Sequence, residues 1–211
     1  MNSESNATHV IDPNGDVMIT LQNANKGLDS FSEENSNPKK KRKTSQNPEF
    51  RILVSSSHLT SISPVFKSAL DGTWKEGHAL RTAGSVNITV DGWDLEALLI
   101  LLRICHCKND QIPRTLSVVL LAKVTLLVDY YQCFNVLRFF ADTWISSLEQ
   151  SFPTQYSREI LLWLWMSWAW KMPALFEKAT EIVISQATDS IASLGLPIPQ
   201  RIIGKTSYIT A

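Results

Sequence analysis

Three cysteines, at positions 105, 107 and 133, are too few for a disulfide framework, so the stability of this 211-residue chain has to come from a packed core. Long apolar runs are missing as well. Leu116 to Val128, interrupted by Lys123, and Ile160 to Trp170 are the longest, and both fall short of the ~20 residues that a bilayer span needs. No membrane interaction is expected. The opening MNSESNATHV lacks a basic segment followed by an apolar one, and together with the sparse thiols this leads to the expectation of a reducing, intracellular compartment. An excess of charge of either sign is absent, because 20 Lys+Arg balance 20 Asp+Glu. A broad, specific nucleic-acid surface is therefore not expected, and any basic function must be local. No Gly-rich phosphate loop, G-x-S-x-G elbow or H-E-x-x-H pair occurs, and the four histidines, at 9, 58, 78 and 106, are scattered. The chain is read as a non-enzyme with no cofactor, since catalysis would need a convergent polar pocket that the sequence does not display.

What is present is apolar bulk. Hydrophobic residues make up 44% and seven are Trp, enough for one sizeable core plus tails. Composition divides the chain near residue 50, since Gln22 to Pro48 is mostly Asn, Ser, Lys and Glu and cannot repay its ordering entropy. Just before it, Asp16 to Leu21 reads as a strand after the Asn14-Gly15 turn. Its best partner is Phe50 to Val54, with the intervening stretch as a long disordered loop, tolerable because closure entropy grows only logarithmically with length. Val86 to Val90 alternates apolar and polar residues and supplies a third strand.

Helices fill the rest. Ser56 or Ser57 can cap a short helix carrying Leu59 and Ile62, and Ser63-Pro64 restarts a second one that Asp71-Gly72 stops. Asp91 with Asp94 resembles a capping box ahead of Leu95, Leu98, Leu99, Leu101 and Leu102, in a buried helix to about Cys105. After Pro113, with Thr115 or Ser117 as the restart, helical runs follow at Leu116 to Tyr131, Phe134 to Leu148, Ser157 to Lys171 and Ala174 to about Ala187. From Gly195 onwards a loose tail is expected. No internal repeat is visible, which disfavours solenoids and propellers.

Three clusters carry chemical suggestions. Cys105-His106-Cys107 offers zinc-type ligands, yet adjacent side chains on a helix point about 100° apart, and the usual spacer and second ligand pair are missing. Buried or loop thiols are the preferred reading. Trp163, Trp165, Trp168 and Trp170 wrap one helix in aromatic surface, which reads as core bulk ahead of a partner-covered face. Pro38 followed by Lys39, Lys40, Lys41, Arg42 and Lys43 puts five cations in a polar stretch, where alternate side chains of an extended backbone can enter the acidic, Trp-lined groove of an import receptor. This run is similar to the monopartite nuclear-import signal, against the bland reading of a solvated charge run. Nuclear localisation is expected, and otherwise cytoplasmic.

Further residues carry a family resemblance. Asp16-Val17 opens the first strand, and Phe50-Arg-Ile-Leu-Val54 leads into Ser-Ser-Ser-His58-Leu59. Ser63-Pro64-Val65-Phe66-Lys67, Leu70, Trp74-Lys75-Glu76 and Gly92-Trp93-Asp94-Leu95-Glu96-Ala97 follow, and Ala122-Lys123-Val124 and Val128-Asp129-Tyr130-Tyr131 complete the set. Over about residues 10 to 131, less the polar insert, this resembles the BTB/POZ domain in its filamentous-fungal form, with similarity continuing through the helices to about 170.

The resemblance implies an α+β fold, a small three-stranded sheet flanked by a helical cluster, with a helical C-terminal extension. The organisation expected is 1–21 as an N-terminal segment with the first strand, 22–49 as a disordered basic insert, 50–131 as the BTB/POZ-like core, 132–190 as the helical extension and 191–211 as a flexible tail. It implies a protein–protein interaction module, often a homodimer, that in some members is a substrate adaptor for cullin-type ubiquitin ligases. Asp16 matches an acidic position of the family's dimer pocket, and with Leu59 and Ile62 forms the expected dimer face. Leu59 stands where many dimeric members carry a basic side chain, so the charged pocket is incomplete. Phe66, Trp74 and Glu76 fall where adaptor members contact a cullin. His58 reads as a capping or core imidazole near a helix start. Protein partners, a second copy, a cullin and an import receptor are thus the candidate partners, and a zinc-dependent regulator built on the Cys105 cluster is the alternative from another class.

Overall fold

A computed structural model gives the fold of residues 7–25, 48–187 and 196–198, which are the described residues throughout. The run Lys39 to Lys43 lies outside them, as do most of the 22–49 insert and of the tail.

The chain is a mixed α+β fold built on a sheet of four strands rather than the expected three. The strands are β1 (His9–Val10), β2 (Val17–Gln22), β3 (Phe50–Val54) and β4 (Val86–Asp91), in the order β1-β3-β2-β4. β2 and β3 pair, as expected from the sequence, and they do so antiparallel, with Val17 opposite Val54 and Leu21 opposite Phe50. β4 joins β2 in parallel from Val17–Val86 to Gln22–Asp91. The extra strand, β1, is two residues long and runs parallel to β3, too short to leave a periodic signal. The polar insert begins later than Gln22. Gln22 is paired in β2, Asn23 donates from Nδ2 to Asp91 Oδ1 at 2.6 Å, and the Asn25 N–H donates to the Trp93 carbonyl at 3.0 Å.

The helices are α1 (Ser56–Ile62), α2 (Pro64–Leu70), α3 (Lys75–Ala83), α4 (Leu95–Cys105), α5 (Val118–Tyr131), α6 (Phe134–Leu148), α7 (Arg158–Ala169) and α8 (Pro173–Gln186). Local chemistry accounts for their starts. Ser63 accepts from the Phe66 N–H at 3.2 Å ahead of Pro64, and Ser117 and Ser157 cap α5 and α7 in the same way. Two expected caps are corrected. Neither Ser56 nor Ser57 is the N-cap of α1, which starts after Ser55. Its first free N–H, that of Ser56, is held by the remote carboxylate of Asp16 at 2.7 Å, while Ser56 Oγ donates to the other oxygen at 2.6 Å. The charge-assisted pair ties α1 to the start of β2. At α4 the cap is Asp94 alone, accepting from the Ala97 N–H at 3.0 Å and pairing with Lys123 at 2.7 Å, and Asp91 belongs to β4.

Helix α3 escaped the sequence reading because Gly77 interrupts a weakly apolar stretch. Gly77 is buried, and a side-chain carbon there would collide with the backbone of Gly72, so glycine is what lets α3 fold back on the turn that ends α2. Arg81 donates to the Asp71 carbonyl and fastens that turn from the other side.

One hydrophobic core runs from Ile11 to Ile198. α4 is its centre, with Ala97 to Leu102, Ile104 and Cys105 all buried. α5 packs on α4, α7 on α5 and α8 on α7, so the helical extension shares the core of the first part. Polar clasps reinforce the join, as Trp170 Nε1 donates to Thr125 at 3.0 Å and Trp144 Nε1 to the Pro113 carbonyl at 2.8 Å. The tail is not wholly loose, since Leu196 and Ile198 are buried in the core at 4% and 7% exposure.

Candidate partner-binding groove

Helix α2 is two-faced. Phe66 and Leu70 enter the core, and Phe66 stacks on Tyr131 with centroids 4.3 Å apart and planes 9° from parallel. Ser63 Oγ donates to the Tyr131 carbonyl at 2.6 Å, so α2 is locked to the end of α5. Its outer face, Pro64, Val65, Ser68 and Ala69, forms one wall of a groove of about 430 Å³. Trp74, Glu76 and Gln132 complete the lining.

The loop that presents Trp74 is held by short-range bonds. The Thr73 N–H donates to Asp71 Oδ1 at 2.8 Å, and this bond holds the Asp71 carboxyl below its ordinary value. Trp74 then takes an extended backbone at the start of α3 with no capping bond from its side chain, and remains 62% exposed. An indole left in water forgoes one of the largest burials available to any side chain. Glu76, in the first turn of α3, is placed favourably for the helix dipole and brings a negative group to the lining of the same groove.

Of the residues expected to contact a partner, Trp74 and Glu76 do line the groove, whereas Phe66, at 3% exposure, is a core residue under it. The residues expected on a dimer face are largely engaged within the chain. Leu59 has no exposed surface, Ile62 is half-buried against the core, and the Asp16 carboxylate is spent on Ser56. Only Ser57, His58 and Ser61 of α1 are exposed.

The Cys105-His106-Cys107 triplet is split by burial. Cys105 is buried, which pushes its thiol well up, and Cys107 is exposed. His106 instead meets Asp12 and His58, with ligand atoms of the three within 4.8 Å of one another, and its ring stacks on that of His58 at 4.8 Å. Both nitrogens of His106 are engaged. Nε2 accepts the Ser55 N–H at 2.9 Å and Nδ1 lies 2.7 Å from the Leu102 carbonyl, which makes Nδ1 the protonated nitrogen. A metal at Nε2 would have to displace a backbone donor, so the cluster fits a structural latch better than a metal site. Burial first, against the bond to Leu102, keeps this imidazole below its ordinary value.

A second cleft of about 530 Å³, between α5, α6 and the end of α7, was not anticipated; Asp129, Phe134, Arg138, Trp168 and Lys171 line it. Burial raises the Asp129 carboxyl, and Arg138 is occupied by Asp142 at 3.0 Å and the Trp170 carbonyl at 2.8 Å. No described helix is long and apolar enough to cross a membrane. No protein-family model matches the chain, and no curated protein matches it.

Proposed function

We propose that the protein is a non-catalytic protein–protein interaction module of the BTB/POZ type in its filamentous-fungal form, with the groove between α2 and α3 as its contact surface. One observation carries the reading: Trp74, alone among the seven Trp, is exposed, at 62%, and it lines an apolar groove together with Glu76. Trp anchors surrounded by near-neutral contacts are the usual hot spots of protein interfaces. The sequence resemblance and the strand-and-helix order support the same reading.

The groove also favours a second, narrower reading, a substrate adaptor for cullin-type ubiquitin ligases, because Trp74 and Glu76, which fall where adaptor members of the resembled family contact a cullin, line it together. The basic run at Lys39, Lys40, Lys41, Arg42 and Lys43 supports action in the nucleus. Replacing those five residues with alanine is expected to move a fluorescent fusion out of the nucleus, and unaltered accumulation contradicts nuclear import through them.

The test is a pull-down from nuclear extract with the wild-type chain and with Trp74→Ala plus Glu76→Ala, scored for cullins and for transcription and chromatin proteins. Proteins retained by the wild type and lost from the folded double variant are expected. Identical retention overturns the groove, and retention lacking any cullin removes the adaptor reading alone.

A further inference from the structure

The two edges of the sheet are treated differently. At one edge β1 is two residues long, and a short strand is a common way to deny a neighbour a template. At the other, β4 runs for six residues, Val-Asn-Ile-Thr-Val-Asp, with no proline, lysine or bulge along its register with β2. Four of the six are β-branched, the type that fits a paired strand.

The parity of β4 defines what its free edge offers. The Val86 N–H donates to the Asp16 carbonyl and the Gly92 N–H to the Gln22 carbonyl, each at 2.9 Å, so the even-numbered residues bond inward to β2. The backbone N–H and C=O groups of Asn87, Thr89 and Asp91 therefore point away from the sheet, and among the described residues they have no partner. The apolar row is unfinished too. Val17, Ile19 and Leu21 on β2 have no exposed surface, whereas Val86, Ile88 and Val90 on β4 are only half-buried.

We infer that a second copy of this chain covers the edge, β4 pairing antiparallel with the partner's β4 about a two-fold axis at Thr89. The sequence is self-complementary in that register. Thr89 meets the partner's Thr89, and Asn87 meets the partner's Asp91 in both directions, so no two carboxylates are opposed. Ile88 and Val90 lie opposite the partner's Val90 and Ile88, extending the apolar row across the axis. Side-chain bonding leaves the matching groups available. Thr20 donates to Asn87 Oδ1 at 2.8 Å, which leaves the Asn87 amide NH₂ to donate, and Asn23 occupies only Oδ1 of Asp91. The result is one continuous sheet of four strands from each copy. It is independent of the groove and of the function proposed for it. A single strand pair is a small contact, so association depends on concentration.

Sedimentation velocity on the full chain, raised from about 1 μM to about 1 mM, should show a monomer giving way to a dimer. Thr89→Pro should abolish the dimer while the thermal midpoint stays close to wild type, because the N–H it removes points away from β2. Asn87→Asp should weaken association about tenfold by opposing carboxylates, and adding Asp91→Lys should restore it. Should Thr89→Pro fail to fold, the charge pair still decides. A wild type that stays monomeric throughout, a folded Thr89→Pro chain that dimerises normally, charge variants without effect, or a dimer broken by Ile62→Asp instead overturns the proposal.

Discussion

Tryptophan serves opposite purposes in two regions of this molecule. In α7 and just after it, four Trp fall within eight residues, and Trp163, Trp165 and Trp170 are almost wholly buried, Trp165 with no exposed surface. In the loop before α3 a lone Trp74 is 62% exposed. Density along a helix marks bulk that fills the join between α5, α7 and α8, where the indoles meet other rings, such as Phe152 at 4.9 Å from Trp163. Isolation between a helix-stopping Gly72 and a short helix marks a side chain that the fold holds out. Among the tryptophans, then, the cluster on α7 reports the core and the isolated Trp74 reports the surface.

The sharpest way to break this contrast is to truncate both kinds. Trp165→Ala should cost about 3–5 kcal/mol in urea unfolding, through lost burial and a cavity that cannot fully collapse. A loss under about 1 kcal/mol would mean that α7 is not the packed element described. Phe66→Ala should fall in the same range of about 3–5 kcal/mol, because Phe66 is stacked on Tyr131 beneath the groove and not exposed in it. Asp16→Asn should cost about 1–2 kcal/mol, since the carboxylate caps α1 through Ser56 and a neutral amide satisfies the N–H and hydroxyl poorly.

Acid gives a smaller effect of definite sign. His106 is held below its ordinary value near 6.5 by burial, and it accepts the Ser55 N–H in the neutral form. Above that value neither the folded nor the unfolded chain binds the proton. Below it the unfolded chain binds first, so stability falls as pH drops from about 6.5 towards the folded value, by at most about 1.4 kcal/mol per pH unit for this group. His9, lowered by burial and by Arg103, adds to the same trend. Unfolding at pH 7, 6 and 5 checks it, and His106→Gln should flatten the slope.

How much of this was legible in the sequence depends on how local the cause is. The pairing of Val17–Gln22 with Phe50–Val54, the Ser63-Pro64 start of α2 and the long helices from Val118 onward follow from periodicity and capping types that adjacent residues display. Strand β1 was missed because two residues have no period. Helix α3 was missed because Gly77, which looks like a breaker, is required by the nearby Gly72 backbone. The cap from Asp16 to Ser56 spans forty positions, and the His106 latch joins α4 to Ser55, so no window of neighbours contains either. In the groove, Trp74 and Glu76 were visible as a pattern. Phe66 shows the periodicity of a core residue and is one, at 3% exposure, whereas the inward turn of Leu59 was not visible, because α1 is too short for its spacing to mark the buried face. The burial of Leu196 and Ile198 was hidden by the Gly- and Pro-rich composition around them.

The smallest stability effect belongs to the residue given the largest functional one. Trp74→Ala should change unfolding free energy by no more than about 0.5 kcal/mol, yet weaken a groove partner by about 2 kcal/mol, roughly thirtyfold. Photo-crosslinking from position 74 tests the groove most directly. With a photoreactive phenylalanine analogue replacing Trp74, and in a control chain replacing the exposed Tyr156, irradiation in cells should give a discrete heavier adduct from position 74 and none from position 156. Equal adducts from both positions, or none from position 74, would contradict a partner seated between α2 and α3.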